Sequence, residues 1–162
     1  MSKNTAKAEE KLALDKKSPT WSGASTQGQL GSKNLLGKHY VLYFYPKDAT
    51  PGCTLEAQDF RDAYPQFQTL GAEVIGVSRD SLKSHEKFCD KQELPFPLIS
   101  DEDESVCRAF DVIRQKKLYG REYQGIDRST FLIDSSGKLR AIWRGVKVAG
   151  HVEQVLDALK AL

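Results

Sequence analysis

The sequence predicts an α/β fold in which a central mixed β-sheet is flanked by helices. Continuous apolar runs of strand length, at 40–45 and 73–78, are typical of strands buried on both faces. Helical periodicity follows each run, at 53–67 and 82–92, and the chain closes with a hairpin pattern and a last helix. Strand, helix, strand and helix followed by a hairpin and a helix imply a mixed sheet covered on both faces.

Length and composition indicate one ordinary globular domain. The chain has 162 residues, of which 40% are hydrophobic and 28% charged. Its formal net charge of +2 gives no electrostatic reason to expect nucleic acid or a membrane as the main partner. No stretch approaches the roughly 18 apolar residues of a membrane span, and the N-terminus lacks the apolar region of a secretory signal. We expect a solvated arm over 1–15 and a single domain over 16–162.

The segment before the first cysteine is predicted as a weak hairpin or extended stretch over 18–36, followed by the strand at 40–45. Pro46 ends that strand. From Cys53 onward the apolar spacing predicts a helix, and Pro65, which lacks an amide donor, is expected to break or kink it. The predicted buried face of this helix consists of Leu55, Phe60, Ala63, Tyr64 and Phe67.

The second half of the chain contains shorter elements. Ser81 caps a predicted helix over 82–92, and Pro95 and Pro97 prevent that helix from continuing. The remaining pattern predicts a short strand at 98–100, a short helix at 103–110 and a charged loop or ribbon at 114–125. A hairpin at 129–144 and a C-terminal helix from about 150 onward follow.

The three cysteines match no disulfide framework of a small secreted domain, so the reducing cytoplasm is the default compartment. Cys53 lies in the first turn of a helix that a loop joins to a buried strand. Free backbone N–H groups and the helix dipole stabilise an anion there, which favours a nucleophilic thiolate. Gly52 lets backbone amides approach a small ligand, Thr50 offers a hydroxyl to the sulfur or to a substrate oxygen, and Pro46 stiffens the loop.

A fixed positive charge would also stabilise the thiolate. Arg128, at the entrance to the strand at 129–134, is the best candidate because arginine does not give up its proton. Glu56, in the first turn after Cys53, either orients the site or simply interacts favourably with the helix dipole. On the residues alone, an inert buried cysteine beside an ordinary surface arginine stays an equal alternative.

The motif Pro46-x-x-x-Thr50-x-x-Cys53 matches the active-site motif of peroxiredoxins, and its flanks resemble the peroxiredoxin Q subfamily, also called bacterioferritin comigratory protein. The resemblance runs from about Lys16 to the C-terminus, with its strongest segments at 44–57, 125–134 and 147–156. It implies a thioredoxin-like fold with an N-terminal β-hairpin extension, Cys53 as the peroxidatic cysteine, and Pro46, Thr50 and Arg128 as helpers. It implies neither a metal nor a bound organic cofactor.

A second thiol can condense with a Cys53 sulfenic acid to form a disulfide. Many members of the subfamily carry this resolving cysteine five residues after the first, where this chain has Gln58. A second branch carries it on the next helix, so the resemblance implies Cys89, while Cys107 is expected to be a small buried hydrophobe whose role stays open. Because a disulfide needs Cα atoms within about 7 Å, we hypothesise that the start of the first helix and the helix at 82–92 unwind during turnover.

The resemblance thus implies a thiol-dependent peroxidase that reduces hydrogen peroxide and organic hydroperoxides in antioxidant defence and is recycled by thioredoxin. We expect a cytoplasmic monomer, because no cysteine follows Cys107 to act as the C-terminal resolving thiol of obligate dimers. A one-cysteine peroxidase reduced by an external thiol and a redox-responsive holdase or interaction protein are the alternatives. A zinc half-site at His85 and Cys89 is disfavoured because no complementary pair stands near, and His39 and His151 are expected at the surface or in turns.

Overall fold

The computed structural model describes residues 12–162 and contains a seven-stranded mixed sheet and a separate two-stranded ribbon. The strands are β1 (Ser22–Ser25), β2 (Gly28–Gly31), β3 (His39–Phe44), β4 (Ala72–Ser78), β5 (Leu98–Ser100), β6 (Ile113–Leu118), β7 (Arg121–Ile126), β8 (Ser129–Ile133) and β9 (Leu139–Trp143). The α-helices are α1 (Pro51–Thr69), α2 (Leu82–Gln92), α3 (Ser105–Ala109) and α4 (His151–Lys160). A 3-10 turn follows β2, at Ser32–Leu35.

The seven strands lie in the order β2-β1-β5-β4-β3-β8-β9. The β3–β4 and β4–β5 pairs are parallel, whereas β8 and β9 continue the sheet in the antiparallel sense. Because β3 and β8 run in opposite directions, the end of β3 lies beside the beginning of β8, and Phe44 pairs with Ser129. The mixed sheet flanked by helices, with an N-terminal hairpin added at one edge through β1 and β5, confirms the predicted fold class.

Strand β3 is buried on both faces, as its continuous apolar run predicts. Alternate side chains enter two different cores, because successive residues of a strand point to opposite faces of the sheet. One core also receives α1, α4 and Phe88 of α2, and the other receives α3 and Trp21. The β3 residues in the first core are Val41 and Tyr43, and those in the second are Tyr40, Leu42 and Phe44.

Residues 1–11 of the predicted solvated arm lie outside the described residues. The end of that arm contacts the domain: the Asp15 amide donates to the Leu139 carbonyl at 2.7 Å, and the Asp15 carboxylate pairs with Arg140 at 3.0 Å. Leu12 packs against the second core. The domain boundary at residue 16 stays a prediction.

Pro65 was expected to break or kink the first helix, and a break does not occur, because α1 continues through Pro65 to Thr69. Pro65 lies on the exposed face, so water can reach the carbonyl that the missing amide leaves unpaired. Tyr64 and Phe67, on either side of it, are buried against the sheet. Tertiary packing therefore outweighs the local preference.

Two side chains differ from the predicted burial pattern. Leu55 was expected on the buried face of α1, but it is 48% exposed, and its neighbours Glu56 and Ala57 are fully buried instead. His151 was expected at the surface or in a turn, yet it is 2% exposed, and its Nε2 lies 2.8 Å from the Thr130 hydroxyl. Among residues 12–162, no helix is both long enough and apolar enough to cross a bilayer.

Candidate active site

Cys53 lies in the first turn of α1, where the chain enters the helix from β3. Thr50 is the N-cap residue, and the Thr54 amide donates to the Thr50 carbonyl at 2.8 Å, which closes the first turn. Pro51 fits the first helical position, because its φ is fixed and the amide it lacks would be unpaired there. The Cys53 side chain is 2% exposed and packs into the first core, so its sulfur lies at a desolvated helix N-terminus.

Arg128, the residue predicted to supply a fixed positive charge, contacts the Cys53 sulfur. It directly precedes β8, and the antiparallel β3–β8 pairing brings it to the end of the sheet from which the Cys53 loop leaves. Its Nη2 donates to Cys53 Sγ at 3.4 Å across a separation of 75 residues. Gly52 favours this approach, because a Cβ at that position would lie 3.2 Å from Nη2, a tighter distance than an ordinary contact. The guanidinium supplies the fixed positive charge that a thiolate needs.

Glu56 completes this arrangement by pairing with the other side of the guanidinium. Its Oε1 accepts from Arg128 Nη1 at 2.6 Å, while its Oε2 is buried without a hydrogen-bond partner among the described residues. Burial raises the pKa of Glu56 to about 7, although the charge and hydrogen bond of Arg128 act in the opposite direction. Glu56 thus pairs with Arg128 and fixes the position of the guanidinium, although burial disfavours the charged form of its carboxylate.

The loop between β3 and α1 places the other two predicted helpers. Pro46 is half-buried two residues after the end of β3, and Thr50 is half-buried at the start of α1. The Thr50 hydroxyl donates to the Lys47 carbonyl at 2.8 Å. Ala49 between them has a φ of +62°, a left-handed conformation that a non-glycine residue adopts only at a cost. The loop conformation therefore fixes the position of Thr50 immediately before the cysteine turn.

Cys89 lies on α2, and its thiol is half-buried against the same core that contains Cys53. All three cysteines are free thiols. Cys89 Sγ is 3.9 Å from the Thr26 hydroxyl. Burial raises the pKa of Cys89 to about 11, so this thiol is protonated at neutral pH while α2 is folded.

Two hydrogen bonds connect α1 to the end of α2. The Gln58 and Gln92 side chains meet at 2.9 Å, and Arg61 Nη1 donates to the Gln92 carbonyl at 2.8 Å. Gln58 occupies the position five residues after Cys53, and its side chain contacts the end of α2.

A family profile described as AhpC/TSA matches residues 13–142. The chain belongs to the AhpC/TSA family. It is 58% identical over 135 residues to Peroxiredoxin Bcp of Xanthomonas campestris pv. campestris, covering 81% of this chain and 84% of that protein. A solved structure of Xanthomonas campestris Peroxiredoxin Q has a TM-score of 0.83 and 52% identity, covering 87% of this chain and 90% of that chain.

A further solved structure concerns the alkyl peroxide reduction activity of the Xanthomonas campestris Bacterioferritin Comigratory Protein, with a trapped intermediate and ligand. It is 51% identical to this chain, with a TM-score of 0.83, and covers 87% of this chain and 90% of that chain. The resemblance to the peroxiredoxin Q subfamily and the thioredoxin-like fold are thereby confirmed. This peroxiredoxin is a peroxidase.

The third cysteine of this peroxiredoxin, Cys107, lies in the second core and is fully buried. Its amide donates to Asp101 Oδ2 at 2.7 Å, and the Val106 amide donates to Oδ1 of the same carboxylate at 3.0 Å. Burial and the neighbouring Asp101 raise the pKa of Cys107 well above its ordinary value. The environment is that of an inert structural thiol.

Within residues 12–162, one group of three side chains has ligand atoms close enough together for a metal: Asp48, Asp80 and His85. Their polar atoms already bond to each other and to neighbouring donors. Asp80 Oδ2 accepts from the Asp48 amide at 2.9 Å and from the Ser78 hydroxyl at 2.6 Å. Because N–H and O–H groups face these oxygens, the cluster fits a hydrogen-bonded network better than a cation site.

Sequence reasoning missed the role of Asp48 and His85 in this network. The two are 37 residues apart, and no local pattern marks either one. The motif string Pro46-Lys-Asp48-Ala-Thr50 contains Asp48, but only the fold brings it to His85.

Proposed function

We propose that this peroxiredoxin reduces hydrogen peroxide and organic hydroperoxides through Cys53, that Cys89 resolves the oxidised sulfur, and that thioredoxin returns both thiols to the reduced state. The observation that carries the proposal is the 3.4 Å contact between Arg128 Nη2 and the Cys53 sulfur at a helix N-terminus. A fixed cation and the helix dipole act on the same sulfur, which favours the nucleophilic thiolate.

In the first step the Cys53 thiolate attacks one peroxide oxygen. A sulfur–oxygen bond forms and the oxygen–oxygen bond breaks. The departing oxygen takes a proton and leaves as water or an alcohol. The sulfur loses two electrons to the peroxide and becomes a sulfenic acid. Arg128 stabilises the negative charge that passes from sulfur to the leaving oxygen, and the Thr50 hydroxyl orients the peroxide.

In the second step the Cys89 thiolate attacks the Cys53 sulfur. A disulfide forms, and the hydroxide that leaves takes a proton to become water. Both thiols are on folded helices here, and Cys89 is held protonated by burial. Release of Cys89 from α2 into water removes that burial and favours the attacking thiolate. The contacts of Gln92 with Gln58 and Arg61 have to break when α2 unwinds.

In the third step a thioredoxin dithiol supplies two electrons and two protons, which restores both cysteines. We place the cycle in the cytoplasm, where such a reductant is available and where free thiols persist. All its residues belong to one chain, so we propose a monomer. The alkyl peroxide activity reported for the Xanthomonas relative supports organic hydroperoxides as substrates.

Peroxide consumption coupled to thioredoxin and its reductase tests this proposal. Mass mapping after one equivalent of peroxide identifies the disulfide. We expect the parent and Cys107→Ser to form a Cys53–Cys89 bridge and turn over, and Cys53→Ser to be inactive. A Cys53–Cys107 bridge would overturn the resolving assignment alone, whereas peroxide reduction by Cys53→Ser at the parental rate would overturn the whole cycle.

The one-cysteine alternative has its own outcome in the same experiment. If Cys89→Ser turns over with thioredoxin as fast as the parent, an external thiol reduces the Cys53 sulfenic acid directly. If Cys89→Ser instead accumulates sulfenic acid while the parent forms the disulfide, the two-cysteine cycle holds. Amide exchange over 82–92 should increase on oxidation, because α2 has to unwind for the bridge to form.

A further inference from the structure

A buried contact between Asp48 and His85 joins the active-site loop to the helix that carries Cys89. Nδ1 of His85 lies 2.7 Å from Oδ2 of Asp48, and the two side chains are 0% and 4% exposed. Asp48 belongs to the loop that leads to Cys53. His85 lies four residues before Cys89, which is one turn of α2. The pair therefore connects the two segments that the proposed cycle requires to separate.

Asp48 accepts hydrogen bonds from both sides of this junction. Its Oδ1 accepts from the Tyr45 hydroxyl at 2.6 Å, on the β3 side. Its Oδ2 accepts from the Ser84 hydroxyl at 2.8 Å in addition to His85, both on α2. Burial alone would raise the pKa of Asp48, but the hydrogen bonds of His85 and Tyr45 lower it overall, so the carboxylate is ionised. Two of its three donors would leave with α2.

Both ring nitrogens of His85 have hydrogen-bond partners. Its Nε2 lies 2.9 Å from the Ile99 carbonyl, and its Nδ1 faces the Asp48 carboxylate. A carbonyl and an ionised carboxylate only accept hydrogen bonds, so each of them can be paired only through an N–H of the His85 ring. Removing one member of such a buried pair leaves the other charge uncompensated, which strongly disfavours the folded arrangement.

We propose that Asp48 and His85 are positioning residues that hold α2 folded against the active-site loop and thereby set how fast the Cys53 sulfenic acid is resolved. The inference rests on the proposed function, in which Cys89 leaves α2 to reach Cys53. The pair stabilises only the folded arrangement, so it opposes the unwound one.

The consequence is a competition at Cys53. A sulfenic acid that waits for Cys89 can attack a second peroxide, gaining one oxygen to become a sulfinic acid while water or an alcohol leaves. Faster unwinding of α2 favours the disulfide, and slower unwinding favours the sulfinic acid. The Asp48–His85 pair therefore controls the peroxide concentration at which the enzyme becomes overoxidised.

Single turnovers of the full chain over a range of hydrogen peroxide concentrations, with product masses measured, test this inference. His85→Gln removes from α2 the buried ring that pairs with the Asp48 carboxylate. Lys87→Gln is the matched control, because it removes a positive charge from an exposed position of the same helix. We expect the peroxide concentration that gives equal disulfide and sulfinic acid to rise about tenfold or more in His85→Gln, and to stay at the parental value in Lys87→Gln. Amide exchange over 82–92 in reduced His85→Gln should be faster by a similar factor.

The inference would be overturned if, in folded His85→Gln, the peroxide concentration that gives equal disulfide and sulfinic acid (the crossover concentration) were unchanged or lowered. Should that variant fail to fold, Ser84→Ala decides, because it removes one neutral hydrogen bond to Asp48 and should shift the crossover in the same direction by a smaller factor. Failure of the proposed function gives a different result: the parent itself forms no Cys53–Cys89 disulfide, and Cys89→Ser yields the same products as the parent.

Discussion

Glu56 makes the stability of this peroxiredoxin depend on pH in a direction unusual for a carboxylate. The side chain is fully buried, and one of its oxygens has no hydrogen-bond partner among the described residues. Burial raises its pKa in the folded protein from 4.5 to about 7, even with Arg128 beside it. The folded state therefore holds the Glu56 proton more tightly than the unfolded state.

The sign and size follow from proton linkage. The unfolded chain binds fewer protons at this position between pH 4.5 and about 7, so the free energy of unfolding falls as the pH rises through that window. The contribution is fully present below 4.5 and lost above about 7. At about 1.36 kcal/mol per pKa unit, the difference between 4.5 and about 7 corresponds to about 3 kcal/mol.

Glu56→Gln isolates this effect, because the amide does not titrate and its oxygen can still accept from Arg128. We expect the unfolding free energy of the parent, relative to Glu56→Gln, to fall by about 3 kcal/mol between about pH 4 and about pH 8. Urea unfolding of the reduced proteins at a series of pH values measures it. Glu86→Gln, the same change at an exposed position of α2, should give a curve nearly parallel to the parent. A Glu56→Gln curve parallel to the parent would refute the reasoning.

Three further predictions concern the sulfur and the cores. Arg128→Met should slow Cys53 oxidation by about 10- to 100-fold, since a hydrogen bond to a charged group contributes about 1.5–3 kcal/mol; stopped-flow oxidation measures it, and a rate within about twofold of the parent would contradict it. Phe60→Ala should lower the unfolding free energy by about 3–5 kcal/mol, because the ring is fully buried and stacks on Tyr43 at 4.5 Å; denaturant titration checks this value. Cys107→Ser should cost about 1–3 kcal/mol of stability by burying a hydroxyl while leaving peroxide turnover unchanged, and a loss of turnover without unfolding would assign Cys107 a chemical role.

Local sequence signals predicted the elements whose ends are fixed by local chemistry. Helix α2 spans Leu82–Gln92, as predicted, and its beginning is fixed by the Ser81 side chain, which accepts from the Ser84 amide. The loop-to-helix position of Cys53 was likewise predicted from the residues beside it in the sequence. The helix continues through Pro65, where the local pattern allowed a break, because the packing of a long helix against a sheet is not visible in a local pattern.

Tertiary partners explain what the sequence left out. His151 is buried because the fold brings Thr130 to its ring, and Asp48 meets His85 only when α2 packs beside the active-site loop. Arg128 was predicted from its chemistry and from the family motif, but its contact with both Cys53 and Glu56 depends on the β3–β8 pairing. Residues that act across strands need the sheet register before their contacts can be specified.

The position of Arg128 beside Cys53 depends on the register in which Phe44 pairs with Ser129. A slip of one residue in β8 would carry Arg128 about 3.4 Å along the strand and turn its side chain to the opposite face. A folding intermediate or a damaged molecule with β8 undocked would keep its cysteine but lose the adjoining guanidinium, and we expect it to react with peroxide about 10- to 100-fold more slowly, as Arg128→Met does. Peroxide should therefore be reduced mainly by molecules in which β8 is docked beside β3.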